Sequence, residues 1–76
     1  MAQPDEYLDT KGLMCPLPVL KARKRLKAMA PGAILAVEAT DPASVIDVPH
    51  FCAESGYDLV EHSQAGEVHR FRIRRT

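Results

Sequence analysis

The residues of this sequence best suited to chemistry are gathered in one short turn, Cys15-Pro16-Leu17-Pro18. Cysteine acts as a nucleophile through its thiolate, and a free cysteine has a pKa of about 8.5. Pro16 has the preset backbone angle of a first helical residue and lacks an N–H that would go unpaired there. Pro18 stiffens the same turn. The pattern predicts that Cys15 sits at or beside a helix N-cap, facing the positive end of the dipole and the N–H groups of Leu17 and Val19. A helix N-terminus lowers a thiol's pKa and favours anionic sulfur, as thiolate or as persulfide. The thiolate is both the attacking and the departing form in sulfur exchange. Covalent thiol chemistry follows, with Cys15 as the catalytic residue and Pro16, Leu17 and Pro18 positioning it. The competing reading, a small core cysteine in a proline-rich turn, conflicts with a stiff cap that keeps the thiol out of the core.

The other chemically capable side chains make a weaker case. Cys52 is the only other cysteine. It lies among apolar residues and reads as a core residue. It does not complete a C-x-x-C pair with Cys15, which argues against thioredoxin-type redox chemistry. His50, His62 and His69 have no ligand-like spacing with either cysteine, so no metal site is expected. Nothing places a pocket or a base beside Cys15, and specificity is expected to come from a partner. Arg23 and Lys27 stand four residues apart on one helical face. Taken alone they are a solvated charged face. Asp41, followed by Pro42, serves as a helix or turn cap.

These residues need a scaffold, and hydrophobic periodicity supplies one. Tyr7 to Thr10 is a short strand closed by Gly12. From Pro16 to Ala30, Val19, Ala22, Leu26 and Met29 recur at helical spacing, with Lys21, Arg23, Lys24, Arg25 and Lys27 on the other faces. Pro31-Gly32 stops this helix. Ala33 to Thr40 is a strand burying Leu35, Val37 and Ala39. A second helix is expected from near Asp47, because Pro49 would cost a hydrogen bond in a helix that began at Pro42. It carries Phe51 and Cys52 inward and ends at Gly56. Tyr57 to Ser63 and Glu67 to Arg75 form two strands. Phe71 and Ile73 face one way in the second of these, and Arg70, Arg72 and Arg74 the other. That strand is read as an end strand, where its charges discourage edge pairing. The predicted fold is α+β: a two-layer βαβαββ sandwich with a four-stranded mixed sheet and both helices on one face.

Composition bounds the rest. A chain of 76 residues, 46% of them hydrophobic, suits a single domain spanning 1–76, with residues 1–5 expected to be flexible. Domains this small bury only about 60% of the surface their unfolded chains expose, so the chemistry belongs at the surface. Ten basic and ten acidic residues cancel, which gives no general affinity for nucleic acid or anionic membranes. No apolar run is long enough to span a bilayer. The polar, acidic stretch from Met1 to Glu6 lacks the features of a signal peptide. A cytoplasmic protein with reduced thiols is expected.

Leu8-Asp9, Gly12 and Cys15-Pro16-Leu17-Pro18 resemble the TusA/SirA-like sulfur-carrier family. The likeness extends through Pro31-Gly32, Asp41-Pro42-Ala43 and Asp47-Val48-Pro49 with Phe51-Cys52, all at the family's spacing. The resemblance implies a βαβαββ sandwich. It also implies that Cys15 accepts sulfane sulfur from a cysteine desulfurase or rhodanese and passes it to an acceptor protein in tRNA thiolation, molybdenum cofactor synthesis or sulfur oxidation. The only intermediate implied is a persulfide on Cys15, with no cofactor. By the same resemblance, Arg23 and Lys27 dock an acidic partner surface and Asp41 contacts a partner. Leu17 stands where the tRNA-thiolation branch usually has an acid, and Ile46 where an arginine commonly precedes the Asp-Ile-Pro segment. Both bear on which partners are used. The alternative is a non-catalytic regulatory or RNA-binding module. It is disfavoured because Tyr7, Phe51, Tyr57 and Phe71 are the only aromatics and most occupy core positions.

Overall fold

The computed structural model describes residues 3–76. Six elements follow in the expected order: β1 (Glu6–Thr10), α1 (Leu17–Lys27), β2 (Ile34–Ala39), α2 (Ser44–Ser55), β3 (Asp58–Ala65) and β4 (Val68–Arg74). The strands form one sheet in the order β1-β2-β4-β3. β1 is parallel to β2, whereas β4 is antiparallel to both of its neighbours, so the sheet is mixed. Of the stretch expected to be flexible, residues 1–2 lie outside the described residues. Further on, Pro4 is buried. Asp5 donates its N–H to the Ile34 carbonyl at 2.8 Å and accepts the Ile34 N–H on Oδ2, also at 2.8 Å.

Period-two alternation builds the core. In β2, Leu35, Val37 and Ala39 are buried. Leu35 pairs with Ile73 and Val37 with Phe71 across the ladder to β4, which places four apolar side chains on one face. Ala22 and Leu26 of α1 and Val48, Phe51 and Cys52 of α2 join the same cluster. Both helices therefore cover one face of the sheet and leave the other open. Phe71 and Leu26 are fully buried, and burying a side chain of this size contributes about 1.5–3 kcal/mol.

Three expectations change. First, β4 is an interior strand, because it enters between β2 and β3. Its arginines do not guard an edge. On the open face Arg70 pairs with Glu38 of β2, while Arg72 and Arg74 pair with Glu61 and Asp58 of β3, the arrangement cross-strand charge pairing favours. Second, α1 is shorter than the periodicity implied: it ends at Lys27, and the N–H groups of Ala28 and Met29 turn back to the Arg25 and Leu26 carbonyls, each at 3.1 Å. Third, α2 begins at Ser44 and contains Pro49. Its first turn is tight, with the N–H groups of Ser44, Val45 and Ile46 donating to the carbonyls of Asp41, Pro42 and Ala43. The hydrogen bond that Pro49 cannot make would fall on Val45, and Val45 is exposed, so water can take its place. Gly56 then ends the helix at φ 76°, and the Tyr57 N–H caps the Cys52 carbonyl at 3.0 Å, a conformation that favours glycine.

Candidate functional site: the Cys15 turn and its groove

The loop from β1 to α1 is tied to the loop from β2 to α2. Thr10, fully buried, donates its hydroxyl to the Glu38 carbonyl at 2.6 Å. Lys11 Nζ bridges Asp9 at 3.1 Å and Glu38 at 3.0 Å. Gly12, at φ 83°, turns the chain and donates its N–H to Thr40 Oγ1 at 2.9 Å. The Cys15 N–H then donates to Asp41 Oδ2 at 2.6 Å, while Asp41 Oδ1 accepts from Ala43 at 3.2 Å. One carboxylate thus fastens the cysteine turn and shapes the entry to α2. This is the capping role predicted for Asp41, extended to a second loop.

The cap of α1 differs in detail from the expectation. Pro16 is the N-cap, Leu17 the first helical residue and Pro18 the second. Cys15 precedes the cap and is exposed. The Leu17 N–H, expected to face the sulfur, donates to the Met14 carbonyl at 2.9 Å.

Instead of a backbone donor, the sulfur meets an acid. Cys15 Sγ donates to Asp47 Oδ2 at 2.8 Å. Asp47 lies in the first turn of α2. The expected activation is therefore reversed. The hydrogen bond to Asp47, loss of surrounding water, and the negative charges of Asp47 and Asp41 together push the Cys15 thiol above its ordinary pKa. A full carboxylate charge in contact outweighs a helix end equivalent to about half a charge, more so with the Leu17 N–H engaged by the Met14 carbonyl.

A groove of about 450 Å3 opens beside the sulfur between the two helices, lined in part by Val19, Arg23, His50, Phe51 and Glu54. The Arg23 guanidinium lies 5.8 Å from the centre of the Phe51 ring, and His50 pairs with Glu54 at 2.9 Å. Both the groove and the carboxylate correct the expectation of neither pocket nor base. Lys27 is exposed one turn beyond Arg23 and outside the groove. Met14, Leu17 and Ile46 are 74%, 44% and 74% exposed and give the turn and the start of α2 an apolar surface. Sequence reasoning missed Asp47 because an acid in a first helical turn is accounted for by the dipole of its own helix. Only the pairing of the two loops brings it to the thiol. Cys52, as expected, is buried, at 2% exposure.

Fold and site together define a small α+β protein that presents one accessible thiol at the start of a helix. The chain belongs to the TusA sulfurtransferase family, whose model matches residues 6–75. It is 45% identical to the sulfur carrier protein TusA of Allochromatium vinosum over 76 residues, covering all of both chains. It is 39% identical to the sulfur carrier protein TusA of Pseudomonas paraeruginosa over 71 residues, covering 93% of this chain and 90% of the relative. The crystal structure of a SirA-like protein from Desulfitobacterium hafniense superposes with a TM-score of 0.81 at 24% identity, covering 91% of this chain and 95% of that one. This last likeness supports the βαβαββ fold. The family and its relatives make the chain a sulfur carrier.

Proposed function

We propose that Cys15 is the residue that carries the sulfur, as a covalent persulfide and without a cofactor. In the loading step the Cys15 sulfur attacks the sulfane sulfur of a donor persulfide. A new S–S bond forms at Cys15, the donor's S–S bond breaks, and its electron pair leaves on the donor cysteine. The thiol proton of Cys15 balances the donor thiol that is released. No outside oxidant or reductant is required, because the sulfane sulfur moves without a net change of oxidation state. Delivery repeats the exchange with Cys15 as the departing sulfur. The donor is a cysteine desulfurase or a rhodanese. The acceptor is a downstream protein serving tRNA thiolation, molybdenum cofactor synthesis or sulfur oxidation. The setting is the cytoplasm, where thiols stay reduced.

The observation that supports this most is the exposure of Cys15 on a loop fastened at Gly12 and at its own N–H. A thiol held in the open suits a partner that must bring its own sulfur within bonding reach. Arg23 and Lys27 would dock an acidic partner surface, with Asp41 close to the contact and Leu17 and Ile46 influencing which partner fits. An RNA-binding role on the open sheet face has less support, because its arginines are each paired with a carboxylate. Incubation with a desulfurase and cysteine, followed by intact mass measurement, is expected to give a gain of one sulfur that thiols remove and Cys15→Ser abolishes. The absence of an adduct with desulfurase and rhodanese donors alike would overturn the proposal.

A further inference from the structure

The contact between Cys15 and Asp47 is not needed to present a thiol, and by the usual logic of activated cysteines it has the wrong sign. Reactive cysteines are generally found beside cations or helix N-termini. Here the sulfur instead donates to Asp47 Oδ2 at 2.8 Å, and a second carboxylate, Asp41, holds the neighbouring N–H at 2.6 Å. The charged groups around the sulfur can be named element by element. Asp41 comes from the β2–α2 loop, Asp47 from α2, and Arg23 from α1; the His50–Glu54 pair lies further along α2 in the same groove. Of these, only Asp47 touches the sulfur. Arg23, the one permanent cation of the groove among the described residues, is stacked toward Phe51.

We propose that Asp47 is a positioning residue that keeps the Cys15 thiol protonated and pointed at its carboxylate while the carrier is free, restraining thiol chemistry until that contact is broken. The hydrogen bond requires the proton, so the Asp47 carboxylate that accepts it favours S–H over thiolate and aims the sulfur along one direction. The upward push on the Cys15 pKa has the same origin. A free carrier with an exposed thiol is open to every disulfide and electrophile it meets, and a protonated thiol reacts with them slowly. The biological meaning of the restraint rests on reading Cys15 as the sulfur-bearing residue. The hydrogen bond does not.

The test is the pH dependence of alkylation of Cys15 by iodoacetamide in the reduced full chain, resolved from Cys52 by peptide mass. For Asp47→Asn the midpoint of the rate profile should fall, with modification at neutral pH faster by about three- to fivefold, because the gain in thiolate is partly offset by its lower nucleophilicity. Asp41→Asn should move it the same way by less. An unmoved or raised midpoint in a natively folded Asp47→Asn chain overturns the proposal. If that variant does not fold, the unmodified chain supplies the answer through its midpoint in native buffer and in urea. A native midpoint above the unfolded one supports the restraint, and one at or below it overturns it. Persulfide loading of the unmodified chain is measured in parallel. Failure to load counts against the carrier role of Cys15 and leaves the titration result intact.

Discussion

The two cysteines form a natural pair for comparison. Both thiols are pushed above their ordinary pKa, for unrelated reasons. Cys15 is exposed, and its proton is held chiefly by the hydrogen bond to Asp47. Cys52 is packed in the core, where burial alone raises its thiol to about 11. A protonated thiol is thus latent at Cys15 and inert at Cys52. A hydrogen bond at the surface can be undone by moving one carboxylate, but desolvation is undone only by unfolding. The resting protonation state therefore does not separate the two cysteines, whereas exposure and the attached loop do.

The two thiols should differ most in native-state modification. Cys52 reacts only through opening of the core, so its alkylation should lag that of Cys15 by at least about a thousandfold in native buffer. In concentrated urea the two rates should converge. Peptide-resolved mass spectrometry over a time course measures both, and comparable native rates would show that α2 opens far more readily than its packing implies.

A second, smaller effect concerns pH. The pKa of Cys52 is higher in the folded state than in the unfolded chain, so its contribution to stability is fully present below the unfolded value of 9.0 and is lost as pH rises toward about 11. A shift of this size corresponds to about 2–3 kcal/mol. Urea denaturation at rising pH should show the loss in the unmodified chain. It should be smaller in Cys52→Ala, where only the share of Cys15 and the other raised groups remains, once the lower starting stability of that variant is subtracted. An equal pH slope in both chains would assign the loss to other groups.

The two cysteines differ in how much of their setting was legible in the sequence. Cys52 was legible because its burial follows from periodicity: it lies next to Phe51 on a helix whose apolar face is set by local spacing. The element order was legible for the same reason, and the exposure of Cys15 followed from the two prolines. Its immediate environment was not legible. Asp47 is 32 residues away along the chain, and its approach depends on the two loops being tied through Gly12–Thr40 and Cys15–Asp41. Strand order was equally hidden. The arginines of β4 alternate in the same way on an edge strand and on an interior one, and only pairing with Glu38 on one side and with Glu61 and Asp58 on the other separates the two cases. The early start of α2 was concealed by treating Pro49 as a barrier, although the hydrogen bond it removes falls on an exposed residue.

The weakest expected effect comes from the groove beside Cys15. Phe51 adjoins Cys52 in the sequence and also lines the groove beside Cys15, so one ring belongs to both the core and the site. Arg23 lies over that ring at 5.8 Å, within the range in which a guanidinium and an aromatic face attract by about 0.5–1 kcal/mol at an exposed position. Arg23→Ala should therefore lower stability by about that amount. Lys27→Ala, one turn away and outside the groove, should fall within about 0.5 kcal/mol of the parent. Arg23→Lys should recover part of the loss, since an ammonium retains the charge but not the planar stacking surface. Urea denaturation of the three variants at one pH distinguishes them. If Lys27→Ala costs as much as Arg23→Ala, the effect comes from helix charge or propensity, and Arg23 is not a fixed wall of the groove. If Arg23→Ala alone is destabilising, the side chain expected to meet a partner is also the one that orders the floor beside the sulfur. A defect in sulfur transfer in that variant would then have to be divided between docking and groove shape, with Lys27→Ala reporting on docking alone.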